Sequence, residues 1–193
     1  MIDYIKGEVA ELTPTTVTVE TYGVGYSLSI SLNTYSSLSG KKEVKLYVHE
    51  AIREDAYQLY GFFDKYEREI FRQLISVSGV GPSTGRMFLS SMTPEELAQS
   101  IASGDVNVLK TVKGIGVKTA QRLIVELKDK IHTDGIGELP MVGATHPVSE
   151  EAVAALVMLG FVQKTSEKVV AQIVKENPAI SVEQTIKKAL KML

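Results

Sequence analysis

Two copies of one pattern stand 35 residues apart: Leu74-(x)4-Gly79-Val80-Gly81 and Leu109-(x)4-Gly114-Ile115-Gly116. A recurrence of this kind marks one supersecondary unit used twice. Its paired glycines allow a tight turn and a close approach of the backbone to something outside the chain. Before the first copy Ile70, Phe71, Leu74 and Ile75 have helical spacing, and beyond the second Leu123, Ile124 and Leu127 continue an apolar face. Each turn is therefore predicted to sit just before a helix. The chain contains its own contrast, because Gly23-Val24-Gly25 has the same triplet but leads into an alternating run and reads as a β-turn.

That alternating run is Tyr26, Leu28, Ile30 and Leu32, with Ser27, Ser29 and Ser31 on the other face. Thr16 to Val19 and Val44 to Val48 repeat the period of two. Short strands joined by glycine-containing turns predict a five-stranded, OB-like barrel over residues 1–63. The period changes at Asp64, and Thr93-Pro94-Glu95-Glu96 is a strong helix start, with a capping threonine, a proline at the first helical position and a glutamate placed to reach back. Residues 64–132 are thus expected to form a helical domain that carries both hairpins. Residues 133–147, with three glycines and two prolines, have the composition of a flexible linker. In residues 148–193 the groups Ala152, Val153, Leu156, Leu159, then Val169, Val170, Ile173, then Ile186, Ala189, Leu190 predict three short amphipathic helices, the last opened by Ser181-Val182-Glu183-Gln184. The expected fold class is multidomain, β then α.

Composition excludes much chemistry. No cysteine is present, so disulfides, thiol nucleophiles and thiolate metal sites are out, and three scattered histidines make an all-histidine site a poor expectation. No catalytic residue, metal or cofactor is predicted. No apolar run is long enough to span a membrane and the first residues do not resemble a signal peptide, so a cytoplasmic location is expected. The net charge is -2, yet residues 1–63 carry 5 basic and 8 acidic side chains while residues 64–132 carry 10 and 8. The twin-glycine segment is the basic one. A glycine turn before a helix offers unpaired N–H groups and the positive end of the helix dipole, which suits phosphate and reads no base. Lys118 and Arg122, four apart on one helix face, can add charge to the same strand.

Gly79-Val80-Gly81-Pro82 and Gly114-Ile115-Gly116-x-Lys118-Thr119-Ala120-x-Arg122-Leu123 resemble the paired helix-hairpin-helix motifs of the RuvA family, DNA-binding subunits of the bacterial Holliday-junction branch-migration complex. The likeness extends to Gly23-Val24-Gly25-Tyr26, to Arg53-Glu54-Asp55-Ala56-x-x-Leu59-Tyr60-Gly61-Phe62 and to Glu151-Ala152-x-x-Ala155-Leu156-x-x-Leu159-Gly160-Phe161. It implies that residues 64–132 form a tandem helix-hairpin-helix domain. It implies a non-catalytic, sequence-independent binder of four-way junctions acting in recombination, DNA repair and the SOS response to DNA damage. It implies a homotetramer, alone or as two on one junction, that holds the junction open and square. The DNA contacts it implies are Gly79, Val80, Gly81, Gly114, Ile115, Gly116, Lys118, Thr119 and Arg122, with Glu54 and Asp55 as an acidic pin at the centre. It further implies docking of the RuvB ATPase through Leu156, Leu159 and Phe161, and contact with the RuvC resolvase. Ser83 and Val117 stand where the family commonly has basic residues, which removes charge, and Arg86 is placed to compensate.

Three rival readings are weaker. A helix-hairpin-helix glycosylase using Lys118 needs a partner aspartate on a firm element, and the candidate Asp134 falls in the predicted linker. An ATPase needs Gly-x-x-x-x-Gly-Lys-Ser/Thr, which the stretch from Gly79 to Arg86 does not match. A barrel that coats single strands needs exposed aromatic platforms, for which Tyr4, Tyr22, Tyr26, Tyr35 and Tyr47 are candidates, although Tyr26 alternates with the apolar face.

Overall fold

The computed structural model describes residues 1–131, 147–178 and 180–193. The predicted linker, with Asp134, lies almost wholly outside the described residues. By contact density the chain divides into residues 1–137 and 138–193.

In the first unit, β1 (Tyr4–Leu12), β2 (Thr16–Thr21), β3 (Val24–Ile30), β4 (Glu43–Ile52) and β5 (Tyr57–Phe62) close into a barrel in the order β1-β2-β3-β5-β4. Only β3 and β5 pair in parallel. The period of two sends Val17, Val19, Leu28, Ile30, Leu46 and Val48 to the barrel interior, where all are buried. Tyr22 and Gly23, both at positive φ, make the two-residue turn from β2 to β3, as read from the triplet. Alternation stops earlier than expected. Leu32 is exposed and opens α1 (Leu32–Leu38), because Ser31 turns inward and its side chain caps that helix at the Thr34 N–H.

In the rest of the first unit, α2 (Lys65–Ser76), α3 (Pro82–Ser91), α4 (Pro94–Ser103), the short α5 (Val106–Leu109) and α6 (Val117–Leu127) follow with their own apolar core. The expected capping box of α4 forms, with Glu96 N–H on Thr93 and Thr93 N–H on Glu96. Phe71 of α2 packs its ring against Tyr60 and Phe62 of β5 and His49 of β4, which fastens the helices to the barrel. Two polar links reinforce the seam. Arg68 donates to the carboxylate and carbonyl of Asp3, holding that carboxyl below its usual range. Glu67 is buried and accepts from Ser31 and Thr34 hydroxyls and the Phe63 N–H; burial pushes its pKa up against these hydrogen bonds.

In the second unit α7 (Pro147–Met158), α8 (Gln163–Glu176) and α9 (Val182–Ala189) surround Ala152, Leu156, Val170, Ile173, Val174, Ile180 and Ala189. Ser181 caps α9 by accepting from Gln184 N–H. Among the described residues no helix is long and apolar enough to cross a membrane.

Candidate nucleic-acid interface

The 35-residue repeat is a repeat of backbone geometry. Gly79 has φ +94° and Gly114 φ +90°, left-handed values that favour glycine. Gly81 (φ −87°, ψ 170°) and Gly116 (φ −87°, ψ 171°) are the N-caps of α3 and α6. Between them the N–H of Val80 donates to Val77 and that of Ile115 to Val112, at 3.0 and 3.1 Å. Side-chain differences have left the turn unchanged.

The side chains of Val80 and Ile115 face inward. They are 5% and 6% exposed and belong to the helical core, because an apolar side chain between two glycines gains more from burial than from water. Their part is to peg each turn so that its glycines stand at the surface. Gly79, Gly81, Gly114 and Gly116 are all exposed. A glycine N-cap has no side chain to occupy the first-turn N–H groups, and neither α3 nor α6 has a side-chain cap. These donors are available to an anion. Pro82 removes one of them in the first copy.

The two turns are neighbours. The Cβ position of Gly79 lies 4.0 Å from the side chain of Thr119, on the first turn of α6. Arg122 Nη1 donates to the Ser78 carbonyl at 3.3 Å, and its Nε stands 3.8 Å from Glu126 Oε1. The guanidinium is thus engaged within the protein. Lys118 is exposed and pairs with no carboxylate among the described residues. Arg86 is likewise committed, donating to the Thr15 carbonyl at 3.1 Å, so it braces α3 against the barrel. Its availability to offset Ser83 is reduced accordingly.

Glu54 and Asp55 form the exposed tip of the β4–β5 hairpin, closed by Arg53 N–H on Ala56. Ile52 and Tyr57, paired at its base, are exposed too. In the second unit the three expected docking positions separate. Leu156 is fully buried, and Phe161 packs on the same core. The cause is the helix end: Gly160 at φ +98° lets Phe161 N–H return to Leu156 and Gly160 N–H to Val157, a Schellman cap whose apolar contact joins those two residues. Leu159 alone of the three is exposed, at 60%, beside Met158 and Val162.

For the rival readings, Asp129, which is nearer to Lys118 in sequence than Asp134, is exposed in the turn after α6, and Lys118 itself lies in the open. Tyr26 and Tyr35 pack against the barrel core, whereas Tyr4 and Tyr47 bracket Lys45. The buried Ser31–Glu67–Thr34 cluster and the Schellman cap escaped sequence reading; the Ser31 cap position and Gly160 were the available signals.

A family model described as RuvA N terminal domain matches residues 1–61, one described as SAM-like helix-hairpin-helix tandem matches residues 71–129, and one described as RuvA, C-terminal domain matches residues 147–193. Over all of both chains, the sequence is 57% identical to a Bacteroides thetaiotaomicron protein called Holliday junction branch migration complex subunit RuvA. Proteins of that name from Bacteroides fragilis and Parabacteroides distasonis are each 55% identical, again over all of both chains.

Proposed function

The chain belongs to the RuvA family, and from that premise we propose that it is a non-catalytic DNA-binding subunit of a branch-migration complex, one that binds four-way junctions without reading their sequence. The observation that carries this reading is the pair of uncapped, glycine-fronted helix N-termini with the same backbone conformation. Backbone N–H groups grip phosphate oxygens and carry no base code. Gly79, Gly81, Gly114, Gly116 and Thr119 present the donors, Lys118 adds charge, and Val80 and Ile115 fix the turns. Competition gel shifts between a synthetic junction and linear duplex of the same sequence, run at several salt concentrations, test it. Preferential retention of the junction is expected; equal affinity would remove the junction assignment and leave plain DNA binding.

In this division of labour residues 1–63 supply the barrel and acidic tip, 64–132 hold DNA, 133–147 serve as a linker and 148–193 engage the motor. In a bacterial cytoplasmic homotetramer, singly or as two tetramers on one junction, four tips converge at the crossover and hold it open and square. Glu54 and Asp55 repel phosphates there and disfavour uninterrupted duplex. Replacing both with Gln and Asn is expected to raise duplex affinity about fivefold, the equivalent of the roughly 1 kcal/mol of one close repelling pair in water. Unchanged duplex binding in the same gel shifts would reduce the tip to a solvated turn. Leu159 docks the RuvB ATPase, with Leu156 and Phe161 supporting it from beneath, and RuvC joins the same assembly.

A further inference from the structure

We infer that Arg122 is a positioning residue that sets the first hairpin against the second, so that two phosphate sites act as one clamp. The inference rests on the phosphate-binding reading above. Sequence logic makes Arg122 a phosphate ligand, but its guanidinium is directed elsewhere: Nη1 reaches the carbonyl of Ser78, and Nε faces Glu126 one turn further along α6. Ser78 immediately precedes Gly79, so its peptide plane belongs to the turn that places Gly79 at φ +94°. One turn before Arg122, Thr119 lies against that same glycine. Two side chains of α6, three residues apart and so on one face, therefore hold the loop of the other hairpin.

The repeat shows that this arrangement runs in one direction. Thirty-five residues before Arg122 the first copy has Met87, and the counterpart of Ser78 in the second copy is Lys113. Methionine cannot donate to a carbonyl. The second hairpin thus receives no matching strut from α3, while the first depends on α6. A planar guanidinium with several fixed donors can reach a carbonyl and a carboxylate at once; a lysine ammonium on a flexible stem reproduces the charge without that geometry.

Arg122→Lys separates the two roles. A phosphate ligand survives it, since charge is retained, whereas a strut does not. In the full-length variant, amide hydrogen exchange without DNA is expected to accelerate at Val80 and Gly85, whose N–H groups donate to the Val77 and Gly81 carbonyls, and to stay unchanged at Ile115 and Ala120, their counterparts in the second hairpin. Junction affinity should fall about tenfold, or about 1.4 kcal/mol, with the slope of log affinity against log salt unaltered. Lys118→Gln, by comparison, should flatten that slope by about 0.9, one phosphate contact. Exchange unaltered at the first hairpin, or junction affinity equal to that of the parent chain, overturns the strut. Because exchange is read on the free protein, that result stands apart from the DNA-binding proposal, which fails separately if the parent chain does not retain the junction.

Discussion

Gly81→Ala and Gly116→Ala, combined in one chain, are expected to reduce junction affinity about a hundredfold while the protein stays folded. At these two positions φ is −87° and ψ near 170°, extended backbone that alanine adopts freely, and an added Cβ meets nothing within 4 Å. Intramolecular sterics do not require glycine there. On the proposed phosphate-holding reading, what the added methyl obstructs is outside the molecule, a phosphate oxygen approaching the first-turn N–H groups. A hydrogen bond to a charged acceptor contributes about 1.5–3 kcal/mol, so losing one at each hairpin amounts to roughly tenfold each. The helices lose an N-cap glycine for alanine, which costs about 1 kcal/mol at each site at most.

Gly79→Ala and Gly114→Ala give the opposite pattern and serve as the comparison. These residues sit at φ +94° and +90°, where a Cβ costs about 1–2 kcal/mol of backbone strain. Their main readout is the melting temperature, with binding reduced only as far as the turn is reshaped. Thermal melts and junction gel shifts on the two double variants should therefore rank them in opposite orders. Junction binding by Gly81→Ala/Gly116→Ala at parental strength would sink backbone-mediated phosphate holding, whatever the family.

The same contrast explains what could be read from the residues. Twin glycines with an apolar residue between them specify a turn, a core peg and a helix start through local conformation and burial alone, so the hairpins were legible in one dimension. The barrel strands were legible where Val17, Val19, Leu28 and Ile30 alternate, since alternation is a direct record of one buried face. Alternation misled at Ser31 and Leu32, because a serine between apolar residues has the same pattern whether it faces water or a buried carboxylate 36 residues away. Arg122 shows the same limit at the interface. Its spacing from Lys118 correctly puts both on one face of α6, but which of them is taken up by the Ser78 carbonyl depends on how two hairpins pack. In the second unit, helical spacing could not distinguish Leu156 inside the core from Leu159 outside it, since the helix ends between them at Met158 and the cap redirects the chain.

Glu67 is a polar position where folding stability should respond sharply to a single change. Its carboxylate is buried at the seam between barrel and helices and satisfies three donors, the hydroxyls of Ser31 and Thr34 and the Phe63 N–H, while burial raises its pKa. Glu67→Leu retains much of the volume but leaves those donors unpaired in a dry site; at about 1–3 kcal/mol for an unsatisfied buried group, and with relief of the carboxylate's own desolvation, a net loss of about 3 kcal/mol is expected in urea unfolding. Glu67→Gln keeps an acceptor and removes the charge, so it should cost less than Leu and change the pH dependence instead. A carboxyl whose folded pKa lies above its unfolded value takes up a proton on folding. Its contribution is greatest at acid pH, where both states are protonated, and is lost as pH rises from the unfolded value through the raised folded one. Asp3 and Glu50, whose values are lowered, change stability in the opposite sense, so the informative quantity is the difference between parent and Glu67→Gln across that window. Glu67→Gln should gain on the parent chain as pH rises through the window and hold a constant offset above it. A difference independent of pH would mean that the buried group carries no proton-linked cost, and that its hydroxyl partners fully replace the water it gave up.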